Sequence, residues 1–150
     1  MMAELQFVVF RLGKEEYGVN IMQVKEIVTY KEPTKVPNTP DFIEGIINLR
    51  GQIIPIVSLK KRFNISGELI NDETRIIVMN LDSKQVGFIV DAASEVRTIS
   101  EEDIENAPDI VAGIERKYIT GIGKIGEKIL ILLDLDKLFS KEEKESLEAV

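Results

Sequence analysis

The chain has no cysteine, no histidine and no tryptophan among its 150 residues. Without cysteine there is no disulfide, thiolate nucleophile or thiolate metal site, which suits a reducing compartment. Without histidine, the commonest general base and the commonest metal ligand are both missing. Positive charge is also short: 19 Lys and Arg face 26 Asp and Glu, a formal charge of −7 with a pI near 4.8. That balance speaks against duplex nucleic acid, which needs a basic face, and against an anionic membrane surface. The longest unbroken apolar run, Ile129–Leu133, is far too short to cross a bilayer. The N-terminus has no basic leader and no long apolar core before a small-residue cleavage site, so no secretory signal is read. These absences predict an acidic, soluble, cytoplasmic protein with no metal and no cofactor.

What the chain does have is a repeat. Phe42–Phe63 (FIEGIINLRGQIIPIVSLKKRF) overlays Tyr118–Phe139 (YITGIGKIGEKILILLDLDKLF) without a gap, with seven identities: Ile43/Ile119, Gly45/Gly121, Ile46/Ile122, Ile53/Ile129, Leu59/Leu135, Lys61/Lys137 and Phe63/Phe139. Average composition gives roughly one or two in such a window. A fainter match sets Phe7–Ile27 on Ile76–Val96 and keeps Val9/Val78, Leu12/Leu81, Gly18/Gly87 and Glu26/Glu95. The order is therefore A, B, A′, B′: two units on one plan, meeting at about residues 64–73. Units of about 70 residues are marginal alone, so they are expected to share buried surface, and the seam between them is a place to look for function.

Within each unit the signals are short strands and turns. Leu5–Leu12 reads as a strand, Gly13–Glu16 as a turn, and Tyr17–Val19 as a return to the sheet. Ile21–Glu26 fits a short helix, and a strand through Ile27–Tyr30 is equally tenable. Pro33, Pro37 and Pro40 make Glu32–Pro40 an extended connector. Gly45–Leu49 and Gln52–Val57 flank Arg50-Gly51, a hairpin signal. Pro55 cannot donate to a ladder, so its strand is expected at an edge or a bulge.

Ser58 and Asp134 are read as caps of two equivalent short helices, with Leu59/Phe63 and Leu135/Phe139 as their apolar stripes. Asn64–Asp72, with Gly67, is a polar break. Thr74–Leu81 and Val86–Val90 are strands joined at Asp82-Ser83, and Ser94–Ile99 is strand-like. Ser100–Asp103 resembles an N-cap, and Glu105–Arg116, with Pro108 and Gly113, is irregular. Tyr118–Ile125 and Lys128–Leu133 pair, and Ser140–Glu143 fits a capping box for a last, charged helix. The sum is an all-β class: two small barrels packed together, since closure hides strand edges.

Few residues carry chemistry. Gly121–Gly126 matches G-x-G-x-x-G, but the pattern binds dinucleotides only when a helix follows, and here a strand does; a hairpin explains it. Asp134 with Asp136, or Glu101 with Glu102, lack the supporting motif of a catalytic pair, and Asp72-Glu73 is no calcium loop. Lys60-Lys61-Arg62 reads as the wet face of a short helix. Arg50 stands out within IINLRGQIIPI. It either pins the hairpin by pairing with Glu26 or Glu44, or serves as an interface arginine, and one residue can do both. Val24, Ile27 and Val28 are core by default. Val96 aligns with Ile27, however, and two such rims would line a groove for an amphipathic helix.

Several of these segments carry a family signature. Phe10-x-Leu12-Gly13-x-Glu15-Glu16-Tyr17-Gly18-Val19, Ile21-x-x-Val24-x-Glu26-Ile27 and Pro40-x-Phe42-Ile43-x-Gly45-Ile46-x-Asn48-Leu49-Arg50-Gly51-x-Ile53-x-Pro55 resemble the CheW family of bacterial chemotaxis coupling proteins. Val86-Gly87-x-x-Val90-Asp91 and Tyr118-x-x-Gly121-x-Gly123 extend the resemblance over nearly the whole chain. It implies two five-stranded SH3-like β-barrels, each with a core and a third core between them, plus short helices and a C-terminal helix. It implies a non-catalytic adaptor that couples the helical cytoplasmic tips of chemoreceptors (methyl-accepting chemotaxis proteins) to the CheW-like regulatory domain of the histidine kinase CheA. The adaptor would sit in arrays at the inner face of the membrane without inserting into it. The receptor-facing groove would map to Val24, Glu26, Ile27, Gly45, Arg50, Gly87 and Val96. The other reading of the same fold is a docking or regulatory module of a different two-component kinase pathway.

Overall fold

The computed structural model describes residues 3–65, 70–81, 84–107, 110–111 and 114–148. The expected turn at Asp82-Ser83, and Gly67, Pro108 and Gly113, lie outside the described residues. The chain runs through β1 (Glu4–Leu12), β2 (Glu15–Asn20), a 3₁₀ turn at Ile21–Gln23, β3 (Val24–Thr29), β4 (Ile43–Leu49), β5 (Gln52–Ser58) and α1 (Leu59–Arg62). It continues with β6 (Arg75–Leu81), β7 (Lys84–Val90), β8 (Ala92–Ser100), a 3₁₀ turn at Glu101–Asp103, and the two-residue strands β9 (Ile104–Glu105), β10 (Ile110–Val111) and β11 (Ile114–Glu115). After a 3₁₀ turn at Arg116–Tyr118 come β12 (Ile119–Ile125), β13 (Lys128–Leu133), a 3₁₀ turn at Leu135–Leu138 and α2 (Lys141–Glu148).

The two larger sheets have strand orders β8-β1-β2-β13-β12-β9 and β3-β6-β7-β5-β4. The second is drawn from one continuous stretch, β3 to β7, and the first from the two ends of the chain. The third strand of each A block is thus exchanged: β3 pairs with β6 of the other copy, and β8 with β1. The duplication survives in detail. Each sheet has one parallel junction, with Ile56 opposite Gly87 in one and Leu132 opposite Gly18 in the other. The bulges recur as well, at Lys25 and Ser94 and again at Glu44 and Thr120.

Alternate residues of these strands face two different interiors, which is why runs such as FVVF and RIIVM lack polar alternation. Phe7, Val9, Leu130 and Leu132 form the core of the first sheet, and Ile54, Ile56, Ile76 and Val78 that of the second. Between the sheets lies a larger core that includes Phe10, Tyr17, Met79, Phe88, Phe42 and Phe139. Three cores, one in each unit and one between, agree with what the resemblance implies. Gly18 and Gly87 occupy equivalent places beneath the parallel junctions. A Cβ on Gly87 would lie 2.6 Å from Ile56 Cδ1, and one on Gly18 would lie 3.1 Å from the Leu130 and Leu132 methyls.

Among the described residues, hydrogen bonding closes neither sheet into a ring: β3 and β4 are the edges of one, β8 and β9 of the other. The β4 edge is partly covered. Thr34, in the proline-rich connector, exchanges two 2.9 Å backbone bonds with Ile46 of β4, as β9 pairs with β12 in the first sheet. Pro55 differs from expectation in part. Strand β5 is internal, but its parallel bonds to β7 begin only at Ile56, so Pro55 lies where just β4 is alongside. The expected helix at Ile21–Glu26 shrinks to a 3₁₀ turn held by Asn20 Oδ1, which accepts from Met22 N at 2.9 Å, and Val24 already belongs to a strand. Ser100 makes no side-chain capping bond. The stretch expected to be irregular after Glu105 contains the β10–β11 hairpin.

The remaining caps hold. Ser58 Oγ accepts from Lys61 N at 3.3 Å, and Asp134 Oδ1 from Asp136 N at 3.1 Å. Ser140 and Glu143 form the reciprocal capping box, at 3.1 and 2.9 Å.

Candidate functional site

The sequence places a glycine second in the β4–β5 turn, and the structure sharpens the oddity of the residue before it. Arg50 has φ +51° and Gly51 φ +86°. Two consecutive positive φ values define the turn whose twist matches a tight hairpin. Gly51 adopts this freely, whereas an arginine in the left-handed region costs about 1–2 kcal/mol. Asn48 steadies the turn, its Oδ1 accepting from Gly51 N at 2.9 Å.

Arg50 reaches from the turn to edge strand β3. Its Nη1 donates to Glu26 Oε1 at 3.0 Å and to Oε2 at 3.2 Å, and its Nη2 also donates to Oε1. Of the two partners weighed from sequence, the structure selects Glu26; Glu44 pairs instead with Lys61 Nζ at 2.7 Å. The Lys25 bulge precedes Glu26, and the strand's half-buried row is Val24, Glu26 and Val28. The pair is open to solvent on the Arg50 side, with side chains 64% exposed for Arg50 and 23% for Glu26. An exposed pair contributes about 0–1 kcal/mol, which does not outweigh the backbone cost at Arg50. Beside it lies a cleft of about 410 Å³ edged by Lys25, Gln52 and Gln85.

The other sequence-selected residues divide. Ile27, on the same edge strand, is an exposed aliphatic side chain. Val24 is half-buried and packs against the core between the sheets. Gly45 is buried with φ +147°, and a Cβ there would stand 2.3 Å from Thr34 O. Gly87 is buried in the second sheet's own core. Val96 is exposed, but it belongs to β8 in the other sheet, opposite Val8. The structure therefore brings Glu26 and Arg50 into contact and sets Ile27 beside Glu26 on β3. Gly45 and Gly87 receive packing roles, and Val96 lies on a different sheet.

The basic run is not a simple wet face. Lys60 pairs with Asp91 at 2.8 Å with both side chains largely covered. Arg62 donates to Leu138 O at 2.7 Å and to Glu143 Oε1 at 3.0 Å, with its guanidinium 5.5 Å from the Phe42 ring centroid. Hence α1 ties the second sheet to the C-terminal helix. No sequence signal separated these residues from a solvated helix face, except that their counterparts in the repeat are Asp136-Lys137-Leu138. Burial raises the Tyr17 hydroxyl to about 12, helped by Glu15. Tyr30 is also raised, by burial first and then by Glu32 and Glu44. Among the described residues, no group of Asp and Glu side chains could hold a metal ion, and no helix is long and apolar enough to cross a membrane. Gly126 sits in a strand-to-strand turn, so the G-x-G-x-x-G stretch meets no helix N-terminus.

With this geometry in place, the likeness to known proteins is direct. The family described as the CheW-like domain matches residues 6–143. The chain belongs to the CheW-like family. The chemotaxis protein CheW of Klebsiella aerogenes is 44% identical over 92% of this chain and 83% of its own length, and that of Treponema pallidum 38% identical over 96% and 87%. The crystal structure of the scaffolding protein TtCheW from Thermoanaerobacter tengcongensis superposes with a TM-score of 0.85 at 42% identity, covering 94% of this chain and 91% of that one. As a CheW-like protein the chain is a chemotaxis coupling adaptor and performs no catalysis.

Proposed function

We propose that this chain works in the cytoplasm, within arrays beneath the membrane, and holds a chemoreceptor tip and the kinase CheA in one fixed geometry. A change in the receptor then biases the kinase's conformational equilibrium, and the coupling is reciprocal, as linkage requires. The receptor's helical tip meets the chain around Glu26, Ile27 and Arg50, and the CheW-like domain of the kinase docks against a β-unit. Weak contacts repeated through an array add by effective concentration, so no single interface has to be tight.

The observation that carries this reading is Arg50. It sits at a position with φ +51°, where its repeat counterpart, Gly126, has φ +61° and is a glycine. A residue kept against its backbone preference, in a pair too exposed to repay it, is best explained by what its side chain does for a partner.

The test is a reconstituted mixture of receptor fragment, kinase and this chain, read as receptor-stimulated kinase phosphorylation. Ile27→Asp should lower receptor binding at least about tenfold while leaving the unfolding midpoint within about 0.5 kcal/mol, since Ile27 is exposed. Val24→Asp is a poorer probe because Val24 also packs on the core. Undiminished receptor binding by Ile27→Asp would refute the β3 contact, and no stimulation by the unaltered chain would refute the coupling role.

A further inference from the structure

The repeat places two cavities at the same point of the two units. One, of about 470 Å³, opens at the end of the first sheet's core, over Phe7 and Leu132. The other, of about 100 Å³, opens at the matching end of the second. Their linings correspond through the duplication: Leu5 with Thr74, Asn20 with Ile89, Met22 with Asp91, Thr120 with Glu44, and Asp134 with Ser58.

The smaller cavity is plugged from within. Lys60 lines it, and its ammonium meets Asp91, also in the lining, at 2.8 Å, with side chains only 14% and 18% exposed. Gly13 N also donates to Asp91 Oδ2, at 2.7 Å, which fixes that carboxylate. Among the described residues, the larger cavity lacks this plug. Asp136 stands in the chain where Lys60 stands, and it turns to Lys144 at 3.1 Å. Met22 stands where Asp91 does and projects as a lip, 84% exposed. The floor is apolar, and the rim carries Glu101 and Asp134.

We propose that the open end of the first unit is a docking site for a partner protein segment in which a lysine or arginine accompanies an aliphatic side chain. Two features identify this occupant. The acidic rim over an apolar floor complements a side chain with an apolar stem and a cationic head. The sister cavity also shows what this fold accepts at that point, a lysine with its charge held by a carboxylate. The site is separate from Glu26 and Arg50 and does not depend on their role.

The test uses the full-length ¹⁵N- and methyl-labelled protein and two probes, the blocked tripeptides Ile-Lys-Ile and Ile-Glu-Ile. The lysine probe should shift the resonances of Phe7, Met22, Glu101 and Leu132, and the glutamate probe should bind about tenfold more weakly. Glu101→Lys, a change at an exposed position, should reverse that preference. Met22→Asp with Asp136→Lys rebuilds the sister's internal plug and should abolish binding of the lysine probe, while the unfolding midpoint shows that the chain remains folded. Equal response to the two probes, no response at these residues, or Met1 or Met2 methyl groups already in contact with Leu132 in the unliganded protein would overturn the proposal.

Discussion

The β4–β5 and β12–β13 hairpins descend from one plan, yet they differ at their tips. In the second, Gly126 has φ +61° and Glu127 carries no positive φ. In the first, Arg50 holds almost the same angle as Gly126, and its side chain reaches across to Glu26. The counterpart of Glu26 is Glu95, which pairs with Arg97 two residues along its own strand, at 3.3 Å. One copy therefore keeps the cheap turn and a local ion pair. The other spends about 1–2 kcal/mol of backbone strain to fix a guanidinium at the sheet's edge. Folding needs a turn at both places but an arginine at neither, so the asymmetry points to binding.

The largest expected effect would break the equivalence of the two B blocks. Gly45→Ala should cost about 3 kcal/mol or more in urea unfolding, because the new Cβ meets the Thr34 backbone 2.3 Å away and φ is positive. Gly121→Ala should cost less, because its nearest obstacle is the Ile104 side chain, at 2.6 Å. Next come the glycines under the parallel junctions. Gly87→Ala should lose about 2 kcal/mol and Gly18→Ala about 1, following their closest approaches of 2.6 and 3.1 Å. Either order inverted would contradict the packing described.

Smaller effects follow. Tyr17 is fully buried, and its hydroxyl meets no hydrogen-bond partner among the described residues. Tyr17→Phe should therefore be neutral or stabilising by up to about 1 kcal/mol. The Tyr17 hydroxyl is raised from 10.0 to about 12, so the unfolded chain ionises first as pH climbs. This group leaves stability unchanged with pH below pH 10 and lowers it as pH climbs towards 12, because burial disfavours the phenolate in the folded chain, and Tyr17→Phe should flatten that part of an alkaline unfolding curve. Smallest of all, Glu26→Gln should shift stability by no more than about 0.5 kcal/mol, since the pair it weakens is exposed. A loss of several times that would make the pair structural and erase the contrast with Glu95.

Much of this molecule was legible in its residues. The two B blocks, their hairpins and the Ser58 and Asp134 caps follow from glycine, cap and periodicity signals that act within a few residues. The exchange of β3 and β8 did not follow. A strand's sequence states that it will pair, while the choice of neighbour depends on surfaces distant in sequence. The roles of Gly45 and Gly87 were hidden for the same reason, because the Thr34 carbonyl and the Ile56 methyl that crowd them arrive from other segments. Arg50 was conspicuous as a charge among aliphatics, and the structure decided its partner. Its left-handed backbone was not visible from sequence, though Gly126 at the matching position was the available hint.

Arg50→Gly, which gives the first hairpin the residue its sister already has, tests the central claim most directly. The measurement is receptor-stimulated kinase phosphorylation in the reconstituted mixture, with the urea midpoint taken on the same sample. The account predicts a midpoint unchanged or raised by up to about 1 kcal/mol, together with loss of most of the receptor-dependent stimulation. Full stimulation, or a loss of coupling that merely follows a loss of folding stability, would contradict it.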